Sequence, residues 1–301
     1  MKANDLDYVV ESDGLRFELS GKPILLHNQH RWILSIIHWA QQQNILYQPC
    51  TIVSLDAHRD WAGYRKYTGT ESSLWKKILS EGVSHRQLQE YLTDDIDDNG
   101  QWIVTGADFG LIDNAFLIGG QLEHDDDKRP FWHRSTDHNS LDRDLSLFLA
   151  DYNDVRHEVI PLRIYVEEEL GGQCINVLAE TFDSDIEKRR WLLCRDRIKQ
   201  MKSCQFLATI DLDFFIAKSD SKHSELWTEQ ALIRFLSMDL GDNVGRESMT
   251  IGDMLREVIH EAALVVIAAE PKYTGSQANI HTALRWIENH LGLALPRSWT
   301  S

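Results

Sequence analysis

Asp56-Ala-His58-Arg-Asp60 follows directly on the apolar run Thr51–Leu55. Residues two and four apart in an extended chain point the same way. A strand end with this spacing therefore aims a carboxylate, an imidazole and a second carboxylate into one crevice. Groups of these types repel or desolvate one another unless a cation lies between them. A polar surface loop can carry the same letters without that purpose, and this motif alone does not separate the two readings. Asp211-Leu-Asp213 narrows the choice. It follows a second apolar run, Phe206–Ile210, and leads into Phe214, Phe215 and Ile216. Two carboxylates embedded in such sequence are costly to bury unless they are paired or bound to a metal.

Two smaller pieces accompany these motifs. His27-Asn-Gln-His30 follows Pro23–Leu26, and on chemistry alone either histidine can supply a nitrogen ligand, a structural histidine being the plainer reading. Glu270 ends the run Leu264–Ala269 and precedes Pro271; a carboxylate at such a tip either holds a cation or is simply solvated. The inventory is imidazole and carboxylate with no thiol, which suits Mn(II), then Fe(II) or Zn(II), better than a structural zinc site. It also holds more carboxylates than one ion needs. Two ions about 3.5–4 Å apart, bridged by carboxylates and a water, would use them all and make hydroxide available near neutral pH.

Positioning these groups requires elements that end at one edge. The runs Pro23–Leu26, Thr51–Leu55, Gln101–Thr105, Phe206–Ile210 and Leu264–Ala269 are continuous rather than alternating, the pattern of parallel strands covered on both faces. Helical patterns lie between and beside them at Arg31–Gln43, Glu187–Met201, Thr228–Met238, Ile251–Ala263 and Ser276–Leu291, with Trp32, Ile36 and Trp39 on one face of the first. Strand–helix alternation predicts an α/β fold, a three-layer α/β/α arrangement around a mostly parallel sheet. The C-terminal ends of such strands share the edge where ligands bind. Two short helical stretches, Ser72–Glu81 and Ser84–Leu92, precede a middle that is poor in apolar residues at Asp94–Gly100 and His124–Asp144. These read as polar loop insertions around 94–100 and 120–158 on the rim of a site. No Pro- or Gly-rich linker divides the chain, so residues 1–301 are expected to form a single domain.

Bulk properties exclude some partners. The 301 residues carry 47 acidic against 31 basic side chains, a formal net charge of -16. That balance argues against nucleic acid, whose binding rests on Lys and Arg neutralising phosphates. An acidic surface suits a cationic substrate, although solubility alone accounts for most such surfaces. Cys50, Cys174, Cys194 and Cys204 show neither CxxC spacing nor the density of a disulfide scaffold, as expected for thiols in a reducing compartment. No apolar run approaches the roughly 20 residues of a spanning helix, and acids at the N-terminus interrupt any signal-peptide pattern. The expectation is a cytoplasmic protein with neither a nucleic-acid nor a membrane partner.

In combination the four pieces, spread over residues 23 to 286, resemble the arginase/ureohydrolase superfamily: a histidine after a strand, D-A-H-x-D, D-x-D and a late glutamate. PILLHNQH stands where that family has a strand and G-G-D-H, DAHRD and DLD match the next two motifs, and AAEP places Glu270 where the family's glutamate meets the guanidinium. The resemblance implies an arginase/deacetylase-like fold and two manganese ions. His30, Asp60, Asp56 and Asp211 would hold one ion, and His58 and Asp213, with the shared Asp56 and Asp211, the other. It also implies hydrolysis of a guanidinium to an amine and urea, with Glu270 orienting the cation. Members are commonly trimers or hexamers, so a homo-oligomer is admitted.

The departures point within the family. His27 and Asn28 replace glycines, DLDFF lacks the following Asp-Pro, and no segment corresponds to the loops that grip a free amino acid. HNQH, SLDAHRDW, IDLDFF and AAEPKYTG are closer to a divergent ureohydrolase-like branch that includes peptide arginases, which convert arginine to ornithine in ribosomal precursor peptides. An arginine-containing precursor peptide is thus the implied substrate. A ureohydrolase for a free guanidine (arginine, agmatine or a guanidino acid) is the runner-up. A one-zinc amide deacetylase of the same fold is third, its D-x-H-H-G-D-G motif being absent, and a metal-stabilised binding module without catalysis is the non-enzyme alternative. His124, His133 and His138 in the polar insert are candidates to protonate the leaving amine, and Asp125, Asp126 and Asp127 can attract a basic peptide; nothing in the sequence selects among them.

Overall fold

A computed structural model describes residues 16–20, 22–56, 77–78, 81–94, 102–119, 156–161, 164–169, 172–177, 195, 199–219, 224–240 and 249–295 of the chain. Its centre is a seven-stranded sheet. In chain order the strands are β1 (Arg16–Ser20), β2 (Lys22–His27), β3 (Cys50–Asp56), β4 (Ile112–Gly119), β5 (Arg156–Pro161), β8 (Phe206–Asp211) and β11 (Val265–Ala268). Their order across the sheet is β1-β2-β11-β8-β3-β4-β5. Every pair is parallel except β1 with β2 at one edge. Two small antiparallel pairs stand apart, β6 (Ile164–Glu169) with β7 (Gly172–Val177) and β9 (Ile216–Ser219) with β10 (Ser224–Leu226).

Alternation within each strand sends apolar side chains to both faces, which is why the central strands read as unbroken apolar runs. Val53, Leu55, Ala208, Ile210, Val265 and Ile267 enter one core. Helices α4 (Glu229–Leu236), α5 (Ile251–Glu261) and α7 (Gln277–Leu291) cover it with Phe235, Leu255, Val258 and Ile287 among others, the short α6 (Pro271–Thr274) falling between the last two in the sequence. Ile52, Leu207 and Val266 enter the second core, under α1 (Ile33–Gln42), α2 (His85–Asp94) and α3 (Trp102–Asp108). This is the expected three-layer α/β/α arrangement with a mostly parallel sheet. The helices begin where the sequence supplies caps. Thr250 and Asp253 form a reciprocal capping box at α5, while Thr228 caps α4 and Ser276 caps α7, each satisfying amides that have no partner within the helix.

One expected strand is a helix. Of the run expected at Gln101–Thr105, the described residues 102–105 fall on α3, which starts at Trp102. A run of four or five apolar and β-branched residues does not distinguish a buried strand from a buried helix, and here the helical choice lets Trp102 and Ile103 fill the core beneath α1. The strand of this region is β4, whose apolar pattern is broken by Asp113 and Asn114. Gly106 permits the close approach of α3: a Cβ there would lie 2.4 Å from Ile112 Cδ1 and 2.7 Å from Leu34 Cδ2. The expected insertion at 120–158 is also too long by its last three residues, which begin β5. Residues 95–101 and 120–155, including His124, His133 and His138, lie outside the described residues, as do most of the helical stretches expected at Ser72–Glu81 and Glu187–Met201. Among the described residues no helix is long and apolar enough to cross a membrane.

Candidate metal centre

Register places the chemistry in one row. His27 of β2 is level with Ala268 of β11, and Ala268 with Asp211 of β8. Leu55 pairs with Ile210, so Asp56 of β3 stands beside Asp211. All are the last residues of parallel strands. The chain leaves β3 for β4 on one side and leaves β8 for β11 on the other. The gap between β3 and β8 is therefore the topological switch point, where connections diverge and leave a crevice at the carboxyl ends. Asp56 and Asp211 flank that crevice, both buried.

His30 opens the 3-10 turn His30–Trp32 that carries the chain from β2 into α1. Its Nδ1 is 3.1 Å from Asp56 Oδ2 and 3.2 Å from Asp211 Oδ2. Its Nε2 lies 3.0 Å from Thr209 Oγ1, on the strand residue two before Asp211. The Trp102 ring packs against it at 5.1 Å between centroids. Of the two candidate histidines, the fold brings His30 to the carboxylates. His27 is buried in the same row, but its Nδ1 is hydrogen-bonded to the carbonyl of Gln29. Burial, and then the neighbouring His30, pushes His27 down to about 3, so it stays a neutral imidazole.

One ligand atom from each of His30, Asp56 and Asp211 lies within 4.8 Å of the others. The electrostatics of this group favour a cation. Burial raises Asp211 well above the usual carboxylate range, and the charges of Asp213, Glu270 and Asp56 add to the effect, with the His30 hydrogen bond opposing it. When Thr209 accepts the Nε2 proton, Nδ1 has two states open to it. A protonated Nδ1 satisfies both carboxylates. A bare Nδ1 turns its lone pair toward two oxygens, and only a cation between them makes that arrangement favourable. The cluster could thus exchange a proton for a metal, as a site does whose ligands must be deprotonated to bind. Thr209, in accepting from Nε2, would be the outer partner that leaves Nδ1 to the ion.

Asp213 is buried in the 3-10 turn Leu212–Phe215, and its amide donates to Asp211 Oδ1 at 3.0 Å. It adjoins the three-residue cluster without belonging to it. His58 and Asp60 lie outside the described residues. Glu270 is buried, and its Oε1 accepts the backbone N–H of His30 at 2.9 Å. This joins the end of β11 to the histidine turn and excludes the solvated alternative for this carboxylate.

Thr209 and Trp102 were not singled out from sequence. For Thr209 a signal existed: a lone hydroxyl inside Phe206–Ile210, two residues before Asp211, shares its face of the strand. Trp102 carried no such signal, since its region read as a strand. Comparison of the sequence with protein-family models and with curated proteins finds no match.

Proposed function

We propose that the chain is a binuclear manganese-dependent hydrolase that converts arginine residues of a peptide to ornithine with release of urea. The observation that carries this reading is the buried His30–Asp56–Asp211 cluster at the switch point, with the Glu270 carboxylate tied to the backbone of His30. Asp56 and Asp211 would be shared between two ions, His30 and Asp60 completing one set and His58 and Asp213 the other, as the motif resemblance implies. When bound, the ions supply hydroxide near neutral pH and polarise the group it attacks.

The chain's own residues do the rest. Thr209 holds His30 in the tautomer that leaves Nδ1 to the ligand. Glu270 offers a buried carboxylate to a guanidinium, which remains cationic at any working pH and presents a planar fork of N–H donors. Trp102 and the second core close the site from below, which strengthens every charge interaction inside it. A buried acid beside the cluster favours a cationic substrate over the neutral amide of a deacetylase. Water and arginine give ornithine and urea, the leaving amine taking a proton as the carbon–nitrogen bond breaks. A cytoplasmic location, where ribosomal precursor peptides are made, goes with this reading, and a homo-oligomer remains open to measurement.

The test is mass spectrometry after incubation with Mn(II) and arginine-containing peptides, with free arginine and agmatine in parallel and Asp211→Ala as control. A peptide lighter by one cyanamide unit, with urea released and the control silent, is the expected result. Urea from a free guanidine alone would transfer the assignment to a small-molecule ureohydrolase. No urea from any of them, with two ions bound, would sink the guanidine reading.

A further inference from the structure

Glu270 adopts φ 40° and ψ 64°. Left-handed backbone is uncommon for residues with a side chain, and the following Pro271 pushes the residue before it toward extended conformations. Two preferences are broken at one position. Strain of this kind persists where the surroundings over-determine the backbone, and it concentrates at working sites. Glycine takes such a backbone without penalty, as Gly275 does nearby at φ 84°. A glutamate at residue 270 therefore signals that its side chain is what the position serves.

The surroundings that enforce the strain converge on Thr274. Its hydroxyl, fully buried, lies 3.0 Å from the carbonyl oxygens of both Ala269 and Glu270. Those two carbonyls belong to the peptide planes on either side of the Glu270 Cα, and the rotation between these planes is the φ and ψ of that residue. A single hydroxyl bridging them fixes both angles. The amides of Tyr273 and Thr274 also donate to the Glu270 carbonyl, each at 2.9 Å. Thr274 is anchored in turn: Asn279 Nδ2 donates to its carbonyl at 2.7 Å, and the Asn279 amide donates to Ser276 Oγ at 3.1 Å in the first turn of α7.

We propose that Thr274 is a positioning residue, a latch that holds Glu270 in its strained conformation and so presents its carboxylate, preformed, to the cationic group of the substrate. The proposal rests on the guanidinium reading for its substrate, but the latch itself is testable without turnover. The Thr274 hydroxyl bonds to the backbone carbonyls of Ala269 and Glu270, not to His30, Asp56 or Asp211. Its loss acts through the aim of Glu270, an interaction made with substrate before and during reaction, and so appears in KM rather than kcat.

Two measurements decide it. The first is steady-state urea release from N-acetyl-arginine amide by manganese-loaded wild type, Thr274→Val and Thr274→Ser. The expected result is a KM raised about tenfold in the valine variant, with kcat within about twofold, metal content unchanged, and recovery in the serine variant. Loss of bound manganese together with activity, or an unmoved KM, would overturn the proposal. The second is a melting cycle that needs no substrate. Glu270→Gly should melt a few degrees above Glu270→Ala, because only alanine keeps a Cβ in the left-handed region. With Thr274→Val added to each, the gap should shrink or reverse. An identical gap in both backgrounds would overturn the latch. A wild type that releases no urea from this substrate, from arginine peptides, from free arginine or from agmatine, while the gap collapses as expected, would instead refute the guanidinium reading and leave the latch standing.

Discussion

His27, the last residue of β2, and His30, which opens the following turn, are three residues apart and have opposite electrostatic fates. His30 faces two carboxylates, while His27 is buried and held neutral, its pKa lowered from 6.5 to about 3. Between those values the unfolded chain takes a proton at residue 27 that the folded chain refuses. Stability from this source is complete above pH 6.5 and drains away as pH falls toward 3, by up to about 1.4 kcal/mol per pH unit. Asp211 works in the other direction, since a raised acid keeps its proton in the folded state as pH climbs. The two are separated by comparing metal-free wild type with His27→Asn in urea at pH 7, 6, 5 and 4. The wild type should lose stability relative to the variant at each step down, and parallel curves would mean that the imidazole is not held neutral. At this scale much of the centre was legible, because Asp56, Asp211, Asp213 and Glu270 are carboxylates attached to apolar runs. The chemistry of the residues alone left the two histidines open, and only the motif resemblance put His30 forward, because the choice depends on the turn that swings His30 back over the strand ends. Thr274 was invisible for a similar reason: its hydroxyl matters through two backbone carbonyls, and no letter records those.

Elements whose two faces are both buried were the readable ones. β2, β3, β8 and β11 show continuous apolar runs, and α4, α5 and α7 show helical spacing with Thr228, Thr250 and Ser276 at their starts. β4 and β5 were not singled out, since Asp113 and Asn114 interrupt one and Arg156-His157-Glu158 opens the other. An edge strand such as β5 needs no apolar pattern and is often protected by charge. α3 was misread because its apolar run is too short to show a period. Its fit is tight nonetheless, as the space around Gly106 shows. Gly106→Ala should cost about 1–3 kcal/mol by forcing Ile112 and Leu34 apart, against the small gain that alanine ordinarily brings to a helix. Urea unfolding should show a lower midpoint with an unchanged slope. A midpoint at or above that of wild type would mean that this layer has room to spare.

For the molecule as a whole, a metal held at the His30–Asp56–Asp211 site would be a stability element as well as a reactive one. Ligands that bind only the folded state stabilise it by mass action, about 2.7 kcal/mol at a hundredfold excess over Kd. Manganese should therefore raise the melting temperature by several degrees, EDTA should reverse the rise, and Asp211→Ala should abolish it. The rise should shrink as pH falls across the range in which the protein stays folded, because Asp211 is held toward its protonated form and the metal must displace that proton. Calorimetry across that range checks the direction, and an increment that grows on acidification would contradict a site built on this carboxylate.

The strand order also governs how such a chain is made. β11 lies between β2 and β8, yet it is the last strand of the sheet to be synthesised. Until it leaves the ribosome, β2 and β8 keep open edges toward each other, and apolar strands in that condition are prone to bind one another between chains. The nascent polypeptide must be sheltered until Val265–Ala268 emerges, and it cannot complete its site earlier, since Glu270 follows that strand directly. A correctly formed site thus waits for residue 270, and a chain stopped before residue 265 would be a client for chaperones or proteases rather than a holder of part of the site.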